Sequence, residues 1–181
     1  DHIDICFEDG TILRYCDPRR FGCFLWSKHI DTHFLLKNLG PEPLGNSFSG
    51  DYLFYKSRKR KVPIKNFIMN SKVVVGVGNI YASEALFAAG IRPSCMAGKV
   101  PRKKYDLLAK EIVHILRKSI EEGGTTLRDF VGGDSKPGYF KQSLRVYGRE
   151  GEECYECFSI IKGKRIGQRA SAYCPKCQST F

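Results

Sequence analysis

Two closely spaced cysteine pairs near the end of the chain restrict its possible folds more than any other feature. The pairs are Cys154-Tyr-Glu-Cys157 and Cys174-Pro-Lys-Cys177, and 16 residues separate them. This pattern is typical of a tetrahedral four-thiolate zinc site, in which the residues between the pairs form a hairpin. Because protein ligands fill all four positions, the pattern predicts one structural zinc ion. The alternative is thiol redox chemistry, which no neighbouring feature of the sequence supports.

The basic residues point to a polyanionic partner. The chain has 30 Lys and Arg against 19 Asp and Glu, a formal net charge of +11. They cluster at residues 58–61, 102–104 and 162–169. A generally basic, solvated surface is the alternative, but the clustering favours a nucleic acid. Because the third cluster lies between the cysteine pairs, a zinc-held hairpin would present its cations to a groove of DNA or RNA. These cations are Lys162, Lys164, Arg165 and Arg169.

The remaining cysteines and the apolar residues indicate the compartment. Four cysteines are scattered, and we interpret them as buried thiols in a reducing compartment rather than disulfide partners. They are Cys6, Cys16, Cys23 and Cys95. No apolar run approaches the length of a membrane span, and residue 1 does not begin a signal peptide. We therefore expect an intracellular protein.

A glycine-broken apolar stretch at residues 66–90 predicts two short helices with an anion site between them. Gly76 and Gly78 permit positive φ angles or the close approach of a partner. Asn79 is predicted to begin the second helix as its N-cap. The free N–H groups at such a helix start suit a phosphate. The alternative is a buried helical hairpin with a glycine turn.

The first 30 residues have the pattern of β-strands. Ile3–Phe7 and Thr11–Tyr15 alternate apolar and polar residues around Glu8-Asp9-Gly10, which predicts a hairpin. Phe21–Trp26 is a candidate third strand. Since such a piece resembles the edge of a larger sheet, we expect the chain to be a fragment.

Residues 31–142 are predicted to be mainly helical, and residues 143–181 to form the finger. The fold class is therefore mostly α with small β pieces. The longest helix is expected from about Arg102 to Glu122, with Gly123-Gly124 as its stop. Its predicted core stripe is Leu108, Ile112, Leu116 and Ile120. The other predicted segments are helices at 33–39, from 50 through 55, at 64–70 and at 125–130, and a glycine-rich loop at 131–140.

Several motifs together resemble one enzyme family. They are Asp17-Pro-Arg-Arg-Phe-Gly22, Val75-Gly-Val-Gly-Asn-Ile-Tyr-Ala-Ser-Glu84, Lys136-Pro-Gly-Tyr-Phe140, Val146-Tyr-Gly-Arg149 and Gln168-Arg-Ala-Ser-Ala-Tyr-Cys174. In this order they are similar to the formamidopyrimidine-DNA glycosylases, the bacterial 8-oxoguanine repair enzymes. The resemblance implies the end of an N-terminal β-sandwich, a helix-two-turn-helix domain and a C-terminal zinc-finger β-hairpin. The implied partner is double-stranded DNA with a damaged base or an abasic site, bound by a monomeric, cytoplasmic, nucleoid-associated protein.

The resemblance also implies roles for single residues. Lys65, Gly78 and Asn79 match the clamp on the phosphates that flank the lesion. Arg169 matches an arginine that grips the same phosphates and acts as the acid in δ-elimination. Further matched residues are Tyr147 and Arg60 as backbone contacts, Arg19 facing the orphaned cytosine, Phe21 as a wedge between bases, and the loop at 131–140 over the flipped purine. Inserted side chains recover part of the cost of base flipping.

The chain departs from the family pattern at two places. The family's proline nucleophile, the glutamate after it and a further lysine have no match here, so this sequence offers no amine for Schiff-base chemistry and we expect the chain alone to be inactive. Lys65 is a poor substitute because its matched role is to hold phosphate. Phe158 also follows Cys157 where the family usually has glycine, which predicts a less relaxed knuckle. The alternatives to a glycosylase and AP lyase are therefore a non-catalytic module that binds damaged DNA and an RNA-binding zinc protein.

Overall fold

The computed structural model describes residues 2–17, 20–30, 32–124 and 143–181. The predicted helix at 125–130, the loop at 131–140 and Arg19 lie outside the described residues. The chain divides into two compact units, residues 1–37 and residues 38–181. The prediction of a mostly helical chain with small β pieces is confirmed.

The first unit contains the predicted hairpin. Strand β1, Ile3–Cys6, pairs antiparallel with strand β2, Ile12–Tyr15. The predicted third strand at 21–26 is wrong, because these residues form no strand. The Asp17 carboxylate accepts the Gly22 N–H at 2.6 Å, and the Asp17 carbonyl accepts the Arg20 N–H at 3.0 Å. These bonds form a local turn in place of a sheet ladder.

Two other predictions are wrong within residues 2–40. The predicted helix at 33–39 is a series of turns, in which the Leu36 and Lys37 N–H groups both donate to the His33 carbonyl. A helix this short is marginal without an apolar face to bury, and its leucines are exposed. Three of the scattered cysteines are also exposed rather than buried; they are Cys6, Cys16 and Cys23. Cys6 lies in the hairpin, and Cys16 and Cys23 follow it. The described part of the first unit contains no further helix or strand that could cover them.

The described residues of the second unit include four helices. They are α1 (Gly50–Ser57), α2 (Ile64–Ile68), α3 (Asn79–Ala88) and α4 (Arg102–Glu121), with a 3₁₀ turn at Ala97–Lys99. Ser49 caps α1, since its hydroxyl accepts the Tyr52 N–H. Helix α4 packs against α1 and α3 over a core that includes Leu53, Leu86 and Leu108.

Helix α4 ends as predicted, but its buried stripe differs at one end. Gly123 and Gly124 have φ angles of 72° and 90°, and the Gly124 N–H donates to the Ser119 carbonyl at 2.7 Å. Ile120 is exposed, whereas Ser119 is buried, because the helical period carries the stripe onto the neighbouring residue. Among the described residues, no helix is long and apolar enough to cross a membrane.

The cysteine pairs enclose a second hairpin, as predicted. Strand β3, Lys162–Ile166, pairs antiparallel with strand β4, Arg169–Tyr173, with Ile166 opposite Arg169. The two turn residues, Gly167 and Gln168, have φ angles of 52° and 61°, as expected for a two-residue hairpin turn. A small core joins this finger to the helices, since Phe87 of α3 packs with the finger residues Val146, Ile161 and Ala172.

Candidate nucleic-acid interface

The start of α3 differs in one respect from the prediction. Gly78, with φ −79° and ψ −178°, is the N-cap, and Asn79 is the first helical residue. The prediction that Asn79 is the N-cap is therefore wrong, because the non-helical dihedral angles that define a cap belong to Gly78. No side-chain hydrogen bond caps this helix start. Its first N–H groups therefore remain suitable for an anion.

The two glycines before α3 have different reasons to be glycine. Gly76 has a φ of 77°, in the left-handed region that favours glycine. Gly78 has an ordinary negative φ, and a Cβ added there would meet no atom within 4 Å. Neither backbone strain nor crowding within the described chain demands glycine at position 78. The open space suits the close approach of a ligand to the backbone.

Lys65 is buried and directed at the finger. Its Nζ donates to the Ala170 carbonyl at 3.1 Å and to the Ser171 hydroxyl at 2.7 Å. An ammonium group has three N–H donors, so one remains beyond these two bonds. Burial, together with the nearby Arg169 guanidinium, lowers the pKa of Lys65 to about 8. The side chain thus links α2 to β4 as a partly desolvated cation.

Arg169 lies at the exposed end of the same chain of hydrogen bonds. It is the first residue of β4, directly after the turn, and its side chain is exposed. The Ser171 hydroxyl accepts from Lys65 and donates to the Arg169 carbonyl at 3.2 Å. The turn is also seated on α2, because a Cβ at Gly167 would overlap the Asn66 side chain. Helix α2 therefore contacts the chain on both sides of Arg169, at Gly167 and at Ala170 and Ser171.

Glu84 is a positioning residue that the sequence analysis missed. Its buried carboxylate accepts the N–H groups of Arg145 at 2.8 Å, Val146 at 3.0 Å and Tyr147 at 2.8 Å. Three backbone bonds to one carboxylate hold the segment that carries Tyr147 against α3. The available signal was that Glu84 is the one charged residue of α3, since an ionised side chain is rarely buried without partners.

We expect the Glu84→Gln variant to unfold more easily. An amide offers one acceptor oxygen and places an NH₂ group against backbone donors, so buried N–H groups lose their partner. The expected loss of unfolding free energy is about 2–3 kcal/mol by chemical denaturation. Glu121→Gln, at the exposed end of α4, is the control and should change it by less than about 0.5 kcal/mol. Equal effects of the two variants would contradict this role of Glu84.

The four paired cysteines form one cluster of thiols. Their sulfur atoms lie within 4.8 Å of one another, with Sγ–Sγ distances of 3.9 Å for Cys154–Cys177 and 3.4 Å for Cys157–Cys174. Tetrahedral zinc with Zn–S bonds of about 2.3 Å requires sulfur separations of about 3.8 Å. Hydrogen bonds from Ser159 lower the pKa of Cys157 to about 6, whereas burial raises the pKa of Cys174 and Cys177. The cluster therefore has the composition and spacing of a metal centre.

Gln178 attaches this cluster to the helical part of the unit. Its buried side chain accepts the Cys174 N–H at 2.8 Å and donates to the Ile91 carbonyl at 2.8 Å. Nearby, the Arg92 guanidinium donates to the Pro175 carbonyl. The second cysteine pair is thus tied to the connection between α3 and α4, so a displaced pair would disturb the helices.

The first cysteine pair carries the expected strain. Phe158 follows Cys157 with a φ of 59°, a conformation that is costly for a residue with a side chain, and its ring is exposed. We expect Phe158→Gly to raise the unfolding free energy of the metal-loaded protein by about 0.5–1 kcal/mol, because little packing is lost. Thermal unfolding would measure this, with Lys176→Gly, at an exposed residue of the second cysteine pair without a positive φ, as the control. A loss at position 158 as large as at position 176 would contradict the strain.

The other described site residues differ in their exposure. Arg60 is exposed and lines a cavity beside α2, and Tyr147 is half-buried. Phe21 is exposed but belongs to residues 1–37. Within residues 38–181, α3 packs against α2 and β4. The elements that carry Lys65, Asn79 and Arg169 are therefore neighbours.

Comparisons with known proteins agree with the motifs. The family model described as the formamidopyrimidine-DNA glycosylase H2TH domain matches residues 39–131. The chain is 60% identical to the formamidopyrimidine-DNA glycosylase of Stutzerimonas stutzeri and 58% identical to that of Glaesserella parasuis, over 178 residues in each case. These residues are 98% of the chain but 66% and 65% of the relatives, so the chain spans slightly less than two thirds of their length.

Solved structures resemble the chain over similar ranges. The MutM (Fpg) protein of Thermus thermophilus has a TM-score of 0.87 and 32% identity, covering 98% of this chain and 68% of that protein. The Lactococcus lactis Fpg in complex with abasic-site DNA has a TM-score of 0.74 and 34% identity, covering 81% and 54%. The same Lactococcus protein has been solved with DNA that contains Fapy-dG.

Proposed function

The chain belongs to the formamidopyrimidine-DNA glycosylase family, and from this premise we propose that its residues form the DNA-gripping part of a base-excision repair enzyme. The whole protein would remove oxidised purines, 8-oxoguanine and formamidopyrimidines, from duplex DNA and nick the abasic site by β,δ-elimination. Residues 1–30 would be the end of the N-terminal lobe, residues 31–142 the helix-two-turn-helix domain and residues 143–181 the zinc finger. Relatives solved with Fapy-dG and abasic-site DNA support this assignment.

The contact between Lys65 of α2 and the finger carries the proposal. The hydrogen bonds from Lys65 through Ser171 end at the Arg169 carbonyl and join α2 to the finger, and the Arg169 guanidinium is near enough to help lower the pKa of Lys65. Cations held this close repel one another unless an anion lies between or beside them. A phosphate group would relieve this repulsion and use the remaining Lys65 N–H. The uncapped start of α3 at Gly78 and Asn79 would supply further N–H donors to the same backbone.

The remaining proposed contacts extend from this grip. Tyr147, held by Glu84, and Arg60 would contact further phosphates. Arg19 and Phe21 would enter the duplex, with the arginine facing the orphaned cytosine and the ring replacing lost stacking, and the loop at 131–140 would cover the flipped purine. Arg169 would serve as the acid in δ-elimination. Extruding a nucleotide costs a few kcal/mol, which these inserted and gripping side chains would offset.

One structural zinc ion would hold the finger. Cys154, Cys157, Cys174 and Cys177 would be its ligands, as the sulfur separations of 3.4 and 3.9 Å support. With four thiolates bound, the metal would have no open position for a reacting water. Its contribution would therefore be to keep β4, and with it Arg169, against α2.

Binding competition tests the proposed function. We expect the chain to bind an abasic-site duplex at least about tenfold more tightly than undamaged duplex or an RNA hairpin, at matched salt. Equal or stronger binding of the RNA would overturn the assignment in favour of an RNA-binding zinc protein. Borohydride trapping with the abasic duplex then separates the two DNA-based readings. A covalent adduct would assign lyase chemistry to these residues, and binding without an adduct would assign them the gripping role alone.

The Arg169→Ala variant should bind the abasic duplex about 10–100-fold more weakly, since one charge-assisted contact contributes about 1.5–3 kcal/mol. The slope of log K against log salt concentration should become shallower by about 1. Fluorescence anisotropy over a salt series measures both quantities. Arg117→Ala, which removes an exposed arginine from α4, is the control. An unchanged slope in Arg169→Ala would remove Arg169 from the phosphate contacts.

A further inference from the structure

A cavity beside α2 has an unusually one-sided lining. Its volume is about 590 Å³ within residues 38–181, and three cations, three amides and three apolar side chains line it without any carboxylate. The cations and amides are Lys56, Arg60, Lys72, Asn38, Asn66 and Asn70. Two other cavities of this unit each include an acidic residue, Asp106 in one and Glu150 in the other. Across the described residues, no ion pair is formed by the three cations. The lining therefore suits an anion.

The hydrogen-bonding groups narrow the class of anion. Lysine and arginine offer donors only. The Asn70 Oδ1 accepts the Lys72 N–H at 2.9 Å, which leaves the Asn70 Nδ2 as the group available to a ligand. The cavity thus presents several donors and positive charge to one space. A phosphate group, with its negative charge and several acceptor oxygens, matches this set.

The cavity is next to the proposed lesion grip, which consists of Lys65, Arg169 and the start of α3. Asn66 lines it and also contacts Gly167 at the turn of the finger, two residues before Arg169. Lys65, the neighbour of Asn66, directs its ammonium to β4. A DNA strand held between Lys65 and Arg169 would therefore pass the mouth of the cavity when it continues along α2.

We propose that this cavity is a second phosphate site, which binds a backbone phosphate of the same DNA outside the pair that flanks the lesion. This inference rests on the proposed function, because it takes the lesion grip as its starting point. Arg60 already had an expected backbone contact from the family resemblance. Lys56, Lys72, Asn66 and Asn70 are the added contributors. The site would increase affinity without reading the damaged base, since phosphate contacts carry no sequence information directly.

A phosphate-neutralisation scan tests this site. Abasic duplexes with a single neutral methylphosphonate at successive positions are bound to the 181-residue chain and to its Lys56→Gln/Lys72→Gln variant. We expect the unmodified chain to lose affinity about threefold or more at the lesion-flanking phosphates and at several further positions, because Tyr147 and the cavity would each contact a further phosphate. The variant should lose its sensitivity at one or two of the further positions and keep it at every other position. The matched control, Lys110→Gln/Arg117→Gln, removes two exposed cations from α4 and should keep sensitivity at every position.

The outcomes separate this inference from the function on which it rests. Sensitivity at the flanking phosphates alone, or a variant as sensitive as the unmodified chain everywhere, would overturn the second site and leave the function standing. No preference for the abasic duplex would overturn the function itself. A further titration uses free tripolyphosphate without DNA. If its binding disappears in the Lys56→Gln/Lys72→Gln variant while the DNA scan shows no further position that depends on these lysines, the cavity binds a free polyphosphate and the DNA assignment fails.

Discussion

Replacing Cys174 with serine should release the proposed zinc ion and disorder the finger. A structural zinc site contributes about 10–16 kcal/mol of apparent binding free energy, and a serine hydroxyl is a poor replacement for one of four thiolates. Because Gln178 connects the Cys174 N–H to Ile91, the effect should extend to the helices. We expect the variant to retain almost no zinc after dialysis against a chelator. Its affinity for the abasic duplex should fall at least as far as that of Arg169→Ala, since the whole finger that carries Arg169 loses its support.

Metal content by atomic emission and duplex binding by anisotropy measure these effects. Cys95→Ser is the matched control, because Cys95 is a buried thiol whose Sγ contacts the Ser179 carbonyl and lies outside the cluster. The control should keep its zinc and its affinity. Stoichiometric zinc in purified Cys174→Ser would refute the four-thiolate assignment.

The affinity for an abasic duplex should decrease as the pH rises above about 8. Lys65 has a pKa of about 8 in the free protein, so it loses its charge in this range, while the phosphate it would contact favours the charged form. Binding above pH 8 would then take up a proton, and log K should fall with a slope approaching −1 per pH unit. The expected loss between pH 8 and pH 9.5 is on the order of tenfold.

The titration of Lys65 should change the stability of the fold in the opposite direction to the DNA affinity. Its pKa of about 8 in the folded protein lies below the ordinary value of 10.5, so between these pH values the unfolded chain binds more protons. The contribution of Lys65 to stability therefore increases as the pH rises from about 8 to 10.5, while DNA affinity decreases. Comparison with Lys65→Met, which cannot titrate, isolates both effects.

The Lys65→Met variant should bind DNA weakly and with little dependence on pH. Lys103→Met removes an exposed cation from α4 and should keep the pH dependence of the unmodified chain. Anisotropy at constant ionic strength from pH 6.5 to pH 9.5 provides the measurement. A flat profile in the unmodified chain, or an unchanged slope in Lys65→Met, would exclude Lys65 as the titrating group.

Features that depend on residue type and short sequence spacing could be predicted from the sequence. The two cysteine pairs predicted a thiol cluster, and the structure brings their sulfurs within 4.8 Å. The end of α4 at Gly123-Gly124 followed from the preference of glycine for positive φ angles. Segments of weak intrinsic preference were predicted less well. The predictions of a third strand at 21–26 and of a helix at 33–39 are wrong. Each of these elements would need a neighbouring element to pack against, which a local sequence pattern does not indicate.

The sequence by itself determined the cysteine cluster, the cationic hairpin between its pairs and the glycine-marked start of α3, because these depend on residue type and spacing. Only the tertiary structure decided where the side chains point. Lys65 meets Ala170 across 105 residues, Gln178 meets Ile91 across 87 and Glu84 meets Tyr147 across 63. Such contacts arise when packed elements exclude water and buried polar groups must find partners, so they depend on the assembled core and not on any local pattern.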